Sequence, residues 1–464
     1  MQSTNLLALP TELVQEIARQ LDSPAQLSLR LACRQMNAKT YHTFRDAHFT
    51  TRRHIFTEHS LQGLVSLAQH PSLAPAVQHL ELSLLPFEQR DRNAMHDPTS
   101  PYHVPCASSR AALTTFLDAQ ACSHRTGQDA ALLTRALQRL SNLRTLRITN
   151  RPDACWGFHS MGRALGWPNY VVRGQAAAAH PQQHALPSVY GFETALAALA
   201  ASSGAFALHE LDIAGGLPLA ALALPTAAAA ARLSASMAHV RVLTLFVSLP
   251  MRLAIEAGTA QSNNNNTDDN DDDETSNKHF LSLFPHLEVL RLGAARGRPS
   301  NLDHFLADVV LRAPWPRLKG LHLLHLDAQK EGVLQHVLAH CAALEYLVLE
   351  DGRARESCWR PAMRYAAEAH PALVGVLCKR FEVVADDAVV LGGGAPPQQQ
   401  QWGGDGEVRS PFLEYDTQAV GGSEQARHLV VDREAKWVRQ RFPWRFFTVP
   451  EFWRRDRVFF QMRG

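Results

Sequence analysis

A chain of 464 residues can hold two or three domains or one long repeat array. Its composition is that of a globular protein, 46% hydrophobic and 19% charged, and a net charge of +2 speaks neither for nor against a polyanionic partner. None of the seven cysteines (Cys33, Cys106, Cys122, Cys155, Cys341, Cys358 and Cys378) sits in a C-x-x-C pair. Zinc-finger and thioredoxin-type chemistry therefore lack support, and the scattered set fits reduced thiols inside a cell. The N-terminal residues show no basic region followed by an apolar run, so a secretory signal is not expected. The most apolar stretch, Gly216 to Ala230, is too short to span a bilayer and is broken by Pro218 and Pro225. It reads as a loop running into a helix.

The first fifty residues predict a small helical unit. In "LLALPTELVQEIARQL", Leu13, Ile17 and Leu21 recur at i, i+4 and i+8, on one helical face. Asp22 or Ser23 can cap a second helix, with Pro24 at its first position, where a missing N–H costs nothing. Leu27 and Leu31 form the apolar stripe of that helix, and a third follows over "LACRQMNAKTYHTF".

From residue 51 the pattern changes. An apolar-x-x-Leu-x-apolar motif recurs as "VQHLEL" (Val77 to Leu82), "LRTLRI" (Leu143 to Ile148), "LHELDI" (Leu208 to Ile213) and "VRVLTL" (Val240 to Leu245). It returns as "LEVLRL" (Leu287 to Leu292), "LKGLHL" (Leu318 to Leu323) and "LEYLVL" (Leu344 to Leu349). The alternation at the end of each motif is that of a strand with one buried face. Helical patterns such as "LLTRALQRL" and "GVLQHVLAHC" lie between motifs. Strand plus helix, repeated, predicts an α/β leucine-rich-repeat solenoid, in which neighbours must stack because no unit buries its own apolar face. An ordinary α/β domain with leucine-rich strands is the alternative. The irregular spacing implies insertions. Three of them, starting at "PFEQRD", at "RPDACWG" and around "SNNNNTDDNDDDETSN", follow a predicted strand, which puts them along one rim. The Asn/Asp run, within residues 259–277, is too charged to pack and reads as a disordered loop. The repeats are expected to fill residues 51–380. Residues 381–464 then hold a linker, Leu391 to Glu407, and an aromatic, basic tail expected to dock on the repeats or bind a partner.

Motifs for catalysis are missing: there is no G-x-S-x-G elbow, no G-x-G-x-x-G after a strand, no phosphate loop of Walker type and no H-E-x-x-H. The 23 histidines are dispersed. Enzyme activity, a cofactor and a metal site are therefore not expected. In the tail, Arg439, Arg441, Arg445, Arg454, Arg455 and Arg457 interleave with Trp444, Phe446, Phe447, Trp453 and Phe459. That mixture would suit single-stranded nucleic acid, but no nucleic-acid-binding module accompanies it, and a packed aromatic cluster with a solvated arginine rim is the simpler reading.

The segment from Leu6 to Met36 resembles an F-box. The matching positions are Leu9, Pro10, Glu12, Leu13, Ile17, Leu21, Leu27, Leu31, Cys33 and Arg34, and the residues that follow look like the F-box-to-repeat junction of fungal F-box proteins. Gln26 and Met36 depart from the pattern, standing where many F-boxes carry an acidic residue and an aromatic one. The resemblance implies a three-helix F-box over residues 1–50 that plugs into a Skp-family adaptor and, through it, a cullin-based SCF ubiquitin ligase, with the repeats holding a protein substrate. It implies adaptor contacts by Leu9, Pro10, Leu13, Ile17, Leu27, Leu31, Cys33 and Arg34, and an intracellular place of action in cytoplasm or nucleus. A scaffold that binds the adaptor without recruiting a substrate, and a nucleic-acid-associated protein acting through the tail, are the alternatives. No membrane partner is expected. On the strands, Arg144, Arg147, His209, Arg291 and His322 are predicted to face outward, where a substrate would lie; finding them in a core would mean the strand register is off by one.

Overall fold

The computed structural model of the protein describes residues 6–84, 106–149, 155–157, 189–218, 222, 227–248, 280–294, 306, 315–379, 381–384, 428–433 and 436–437. Three helices open it: α1 (Thr11–Gln20), α2 (Ser23–Ala32) and α3 (Arg34–Phe49). Pro10, with φ −52°, leads into α1. The Asp22 carboxylate caps α2 by accepting the Ala25 N–H at 2.9 Å, and Pro24 sits in the first turn. Cys33 adopts extended backbone and its Sγ accepts the Met36 N–H at 3.4 Å. The third helix thus starts at Arg34, not at Leu31 where the apolar pattern begins, because Cys33 breaks the chain between two helices and caps the second.

Only Thr50 separates α3 from the first strand, β1 (Thr51–Ile55). The strands that follow are β2 (His79–Ser83), β3 (Thr145–Thr149), β4 (Glu210–Pro218), β5 (Val242–Ser248), β6 (Val289–Ala294) and β7 (Gly320–Leu324). A two-residue strand, β8 (Asp327–Ala328), precedes β9 (Tyr346–Glu350), β10 (Arg353–Arg355), β11 (Gly375–Lys379) and β12 (Glu382–Val384), and β13 (His428–Arg433) and β14 (Lys436–Trp437) close the series. The main sheet has eleven strands in the order β1-β2-β3-β4-β5-β6-β7-β9-β11-β13-β14. All neighbours pair parallel except β13 with β14. A parallel sheet whose strands lie side by side in chain order advances one strand per turn, which is a solenoid. The return paths carry α4 (Glu58–Gln69), α5 (Ala107–Thr126), α6 (Gln128–Leu137), α7 (Val189–Ala201), α8 (Ala227–Met237), α9 (Val333–His340) and α10 (Glu356–Glu368).

The leucines of the repeated motif form the core. Leu143, Leu146 and Ile148 of one unit, Leu287, Leu290 and Leu292 of another, and Leu344, Leu347 and Leu349 of a third are all essentially inaccessible to solvent. Each such side chain contributes about 1.5–3 kcal/mol by leaving water. These rows are stacked by the ladder, so removing one opens a hole shared with both neighbours.

β4 extends to Pro218, so the first residues of the apolar stretch beginning at Gly216 belong to a strand and not to a loop. The ladder to β5 slips between Ile213 and Leu217, and Gly216 has φ +74°, which lets the strand bulge without a Cβ clash. The expected helix follows as α8. In the later repeats a second parallel sheet, β12-β10-β8, runs beside the first. His325 and Asp351, each the first residue after its main strand, share a left-handed backbone (φ 55° and 53°) that turns the chain into β8 and β10. Two equivalent unusual turns in successive units mark true repeats.

Both ends of the main sheet are capped. At one edge the Trp156 N–H donates to the Arg53 carbonyl at 2.8 Å, and its ring stacks on His59. A Cβ on Gly63 would lie 2.5 Å from that ring, so the tryptophan sits where only glycine leaves room. At the other edge β13 adds to β11, and β14 folds back on it. β13 thus extends the main sheet by one parallel strand. The linker at Leu391 to Glu407, the Asn/Asp run and the Arg/aromatic residues beyond 438 lie outside the described residues. No described helix is long and apolar enough to cross a membrane.

Candidate functional site

The helical unit buries one side of its helices and leaves the leucine stripes outside. In α1 the inaccessible residues are Val14 and Ala18, not Leu13 and Ile17. In α2 the one buried side chain is Gln26, while Leu27 and Leu31 face solvent. Of the seven large hydrophobic residues exposed among those described, five lie in this unit: Leu6, Leu13, Ile17, Leu27 and Leu31. Leu31 is the extreme, at 86% exposure. Scattered exposed leucines need no explanation, but a concentration in some thirty residues, when most other described leucines are interior, does. An i, i+4 pair on each of two helices makes an exposed apolar face.

The rest of the unit holds that face in place. Lys39 donates from Nζ to the carbonyls of Leu7 (2.9 Å) and Leu9 (2.5 Å), tying the Leu-Pro entry to α3. The Gln15 amide reaches back to the Lys39 carbonyl at 3.2 Å. Gln26 donates to the Ala18 and Leu21 carbonyls at 2.9 and 3.1 Å, and its Oε1 lies 3.1 Å from His48 Nε2. The buried Gln26 thus joins all three helices. Burial pushes the His48 imidazole below its ordinary value, with Arg30 and Arg52 acting in the same direction. Gln26 and Met36, the two departures from the F-box pattern, are both interior and so serve the fold of the unit. Among the predicted contact residues, Leu13, Ile17, Leu27, Leu31, Pro10 and Arg34 are exposed, Leu9 is half-buried, and the half-buried Cys33 is the α3 cap.

The unit is joined to the solenoid without slack. The Thr50 carbonyl accepts the N–H groups of Gln78 and His79, both at 3.0 Å, so the residue that ends α3 also starts the sheet. Tyr41 Oη and Ser72 Oγ are 2.5 Å apart across the junction.

The outward strand face carries a row of charged residues. Register aligns Arg53, Glu81, Arg147, Asp212, Thr244, Arg291 and His322 across seven consecutive strands. Arg53 pairs with Glu81 at 3.3 Å, Arg147 with Asp212 at 3.1 Å, and His322 with Glu350 at 3.2 Å. The Asp212 carboxyl is pushed up to about 6, chiefly by burial, with Glu210 and Glu81 raising it and Arg147 and Arg291 opposing them. Arg144 and His209 sit one residue before their strands, in a second row that continues through Arg241, Glu288, Lys319 and Glu345. Burial lowers the His209 imidazole, and Arg241, Arg144 and His239 lower it further. None of the five predicted strand residues lies in the core, which places the register as the alternation indicates. They divide into two rows, Arg147, Arg291 and His322 in one and Arg144 and His209 in the other. Sequence reading passed over Glu81 and Asp212, although both occupy the same motif position as Arg147, between the last two apolar residues.

Among the described residues no group of three or more His, Cys, Asp or Glu side chains is placed to hold a metal ion. His54 and His370 are both interior. His54 Nδ1 is 3.1 Å from the Ser60 carbonyl and hydroxyl oxygens, and His370 Nε2 is 3.1 Å from the Cys341 carbonyl.

No protein-family model matches the chain, and no curated protein matches it. Solved structures do. The leucine-rich repeat-containing protein LegL7 from Legionella pneumophila is 11% identical, with a TM-score of 0.27, over 72% of this chain and 91% of its own. The Rad7 and Elc1 complex in yeast is 11% identical, with a TM-score of 0.23, over 83% of this chain and 87% of the matched one.

Proposed function

We propose that the chain is a non-catalytic substrate receptor of a cullin-based ubiquitin ligase, acting in cytoplasm or nucleus. The helical unit, read as an F-box, docks a Skp-family adaptor through Leu9, Pro10, Leu13, Ile17, Leu27, Leu31, Cys33 and Arg34. A protein substrate is held on the strand face, by the row through Arg147, Arg291 and His322 and the row through Arg144 and His209. The carrying observation is the pair of exposed stripes, Leu13 with Ile17 and Leu27 with Leu31, on helices whose interior is filled by other residues. The taut α3–β1 junction supports a positional mechanism. A receptor raises the local concentration of its substrate beside a ubiquitin-conjugating enzyme, and that gain is lost if the two binding surfaces move independently.

Co-purification with the adaptor tests the reading. The wild-type chain is expected to retain it, and a Leu9→Ala/Pro10→Ala double variant to lose it. Equal retention by both would defeat the proposal. Recovery of the cullin with the adaptor separates a ligase receptor from a scaffold that binds the adaptor alone.

A further inference from the structure

The chain contains six lysines, Lys39, Lys278, Lys319, Lys330, Lys379 and Lys436, against 40 arginines. None lies between Lys39 and Lys278, a span that carries seventeen arginines. The two cations are equivalent for solubility but not for chemistry. Ubiquitin transfer needs an amine that can lose a proton and attack the thioester carbonyl of the conjugating enzyme: the new C–N bond forms, the C–S bond breaks, the thiolate leaves, and the amine proton passes to solvent. A guanidinium, delocalised and always protonated, cannot do this.

Lys39 is withheld as well. Its half-buried ammonium donates to the Leu7 and Leu9 carbonyls, so freeing a lone pair on Nζ would undo the turn that presents Leu9 and Pro10. By contrast Lys319 is well exposed, 3.6 Å from Glu345, and Lys330 is exposed on the loop before α9. Lys319 immediately precedes β7, six strand steps from β1. At about 4.8 Å per step this is ~29 Å from the junction with the helical unit.

We infer that the side chains of residues 1–277 are inert to ubiquitin transfer, and that ubiquitin placed on a lysine of the chain goes to its C-terminal part, where Lys319 and Lys330 are exposed. This rests on the ligase reading above and adds a regulatory consequence. Between Lys39 and Lys278 the receptor offers no competing lysine, which favours transfer from the thioester to the bound substrate.

The test uses the full chain assembled with adaptor and cullin–RING module, with activating and conjugating enzymes, ubiquitin and ATP. Four exposed arginines outside both proposed surfaces are replaced together: Arg125→Lys, Arg135→Lys, Arg139→Lys and Arg232→Lys, which keep charge and length. Adaptor retention is measured first, and failure there removes the ligase reading itself, and with it this inference. Given retention, the wild type is expected to carry ubiquitin remnants only from Lys278 onward, and Lys319→Arg/Lys330→Arg to lower that signal. The four-lysine variant is expected to gain at least about twofold in conjugate, mapped to the new lysines, in proportion to accessible amines. Conjugation at Lys39 in the wild type, or no gain in the four-lysine variant, would overturn it.

Discussion

Replacing Leu31 by alanine separates docking from folding, because the side chain is 86% exposed and supports little of the interior. Truncation removes the equivalent of about three methylenes, at roughly 0.8 kcal/mol each when fully buried against a partner. Nearly all of that is gained only on docking, so adaptor binding should weaken by ~2 kcal/mol, or about 30-fold in Kd. The same reasoning ranks the other positions by what remains exposed: Leu13 at 52%, Leu27 at 46% and Ile17 at 40% should lose progressively less. Ile17→Ala is expected to weaken binding by only ~1 kcal/mol, about fivefold. Titration calorimetry against the purified adaptor gives the affinities, and thermal unfolding monitors the fold. Leu31→Ala should leave Tm within a degree or so of wild type, since exposed positions contribute little to stability. Unchanged affinity, or a fall in Tm that parallels the loss of binding, would show that the stripe is not a docking face.

Two desolvated groups make opposite pH predictions. Asp212 is raised to about 6 in the fold, so ionisation costs stability as pH rises from the ordinary carboxylate range through 6. Asp212→Asn should therefore be more stable than wild type at pH 7.5, by up to ~3 kcal/mol, with the gap shrinking to roughly half at pH 5; a variant less stable than wild type at pH 7.5 would contradict this. His54 is lowered to about 3, first by burial and then by the Arg52 cation. Acidification below the ordinary histidine value protonates the unfolded chain first, so His54 should remove about 1.4 kcal/mol of stability per pH unit below ~6.5. His54→Gln should flatten that loss between pH 7 and 5 in denaturant titrations, and an unaltered acid profile would count against the assignment. Gln26→Leu keeps volume but takes the amide donor from the Leu21 carbonyl and one of the two donors from the Ala18 carbonyl, and is expected to destabilise the helical unit by ~1–3 kcal/mol. Hydrogen exchange confined to α1–α3 would report it.

Much of the solenoid was legible because its signal is local and repeated. Every "LxxLxL" unit places its three apolar residues on one side of a strand, and period two decides which residues face out without reference to any other unit. Glu81 and Asp212 belong to the same row for the same reason, and comparing motifs position by position would have found them. The bulge in β4 was not legible, since Gly216 beside Leu217 and Pro218 reads as a chain break until the neighbouring strand pairs with it. Nor was the capping of the two sheet edges by Trp156 and by β13, whose contacts cross long stretches of sequence.

In the helical unit the division is sharper. Sequence by itself determined that Leu13 and Ile17, and Leu27 and Leu31, share helical faces, because 3.6 residues per turn allows nothing else. Whether those faces are interior is not a property of any one helix. Val14, Ala18 and Gln26 fill the interior of the unit while Leu13, Ile17, Leu27 and Leu31 stay outside, with the capped turn at Cys33 setting α3 and Lys39 drawing the Leu7 and Leu9 carbonyls to it. The period of a helix states which residues share a face, and only the packing of three helices decided that these faces lie outside the core.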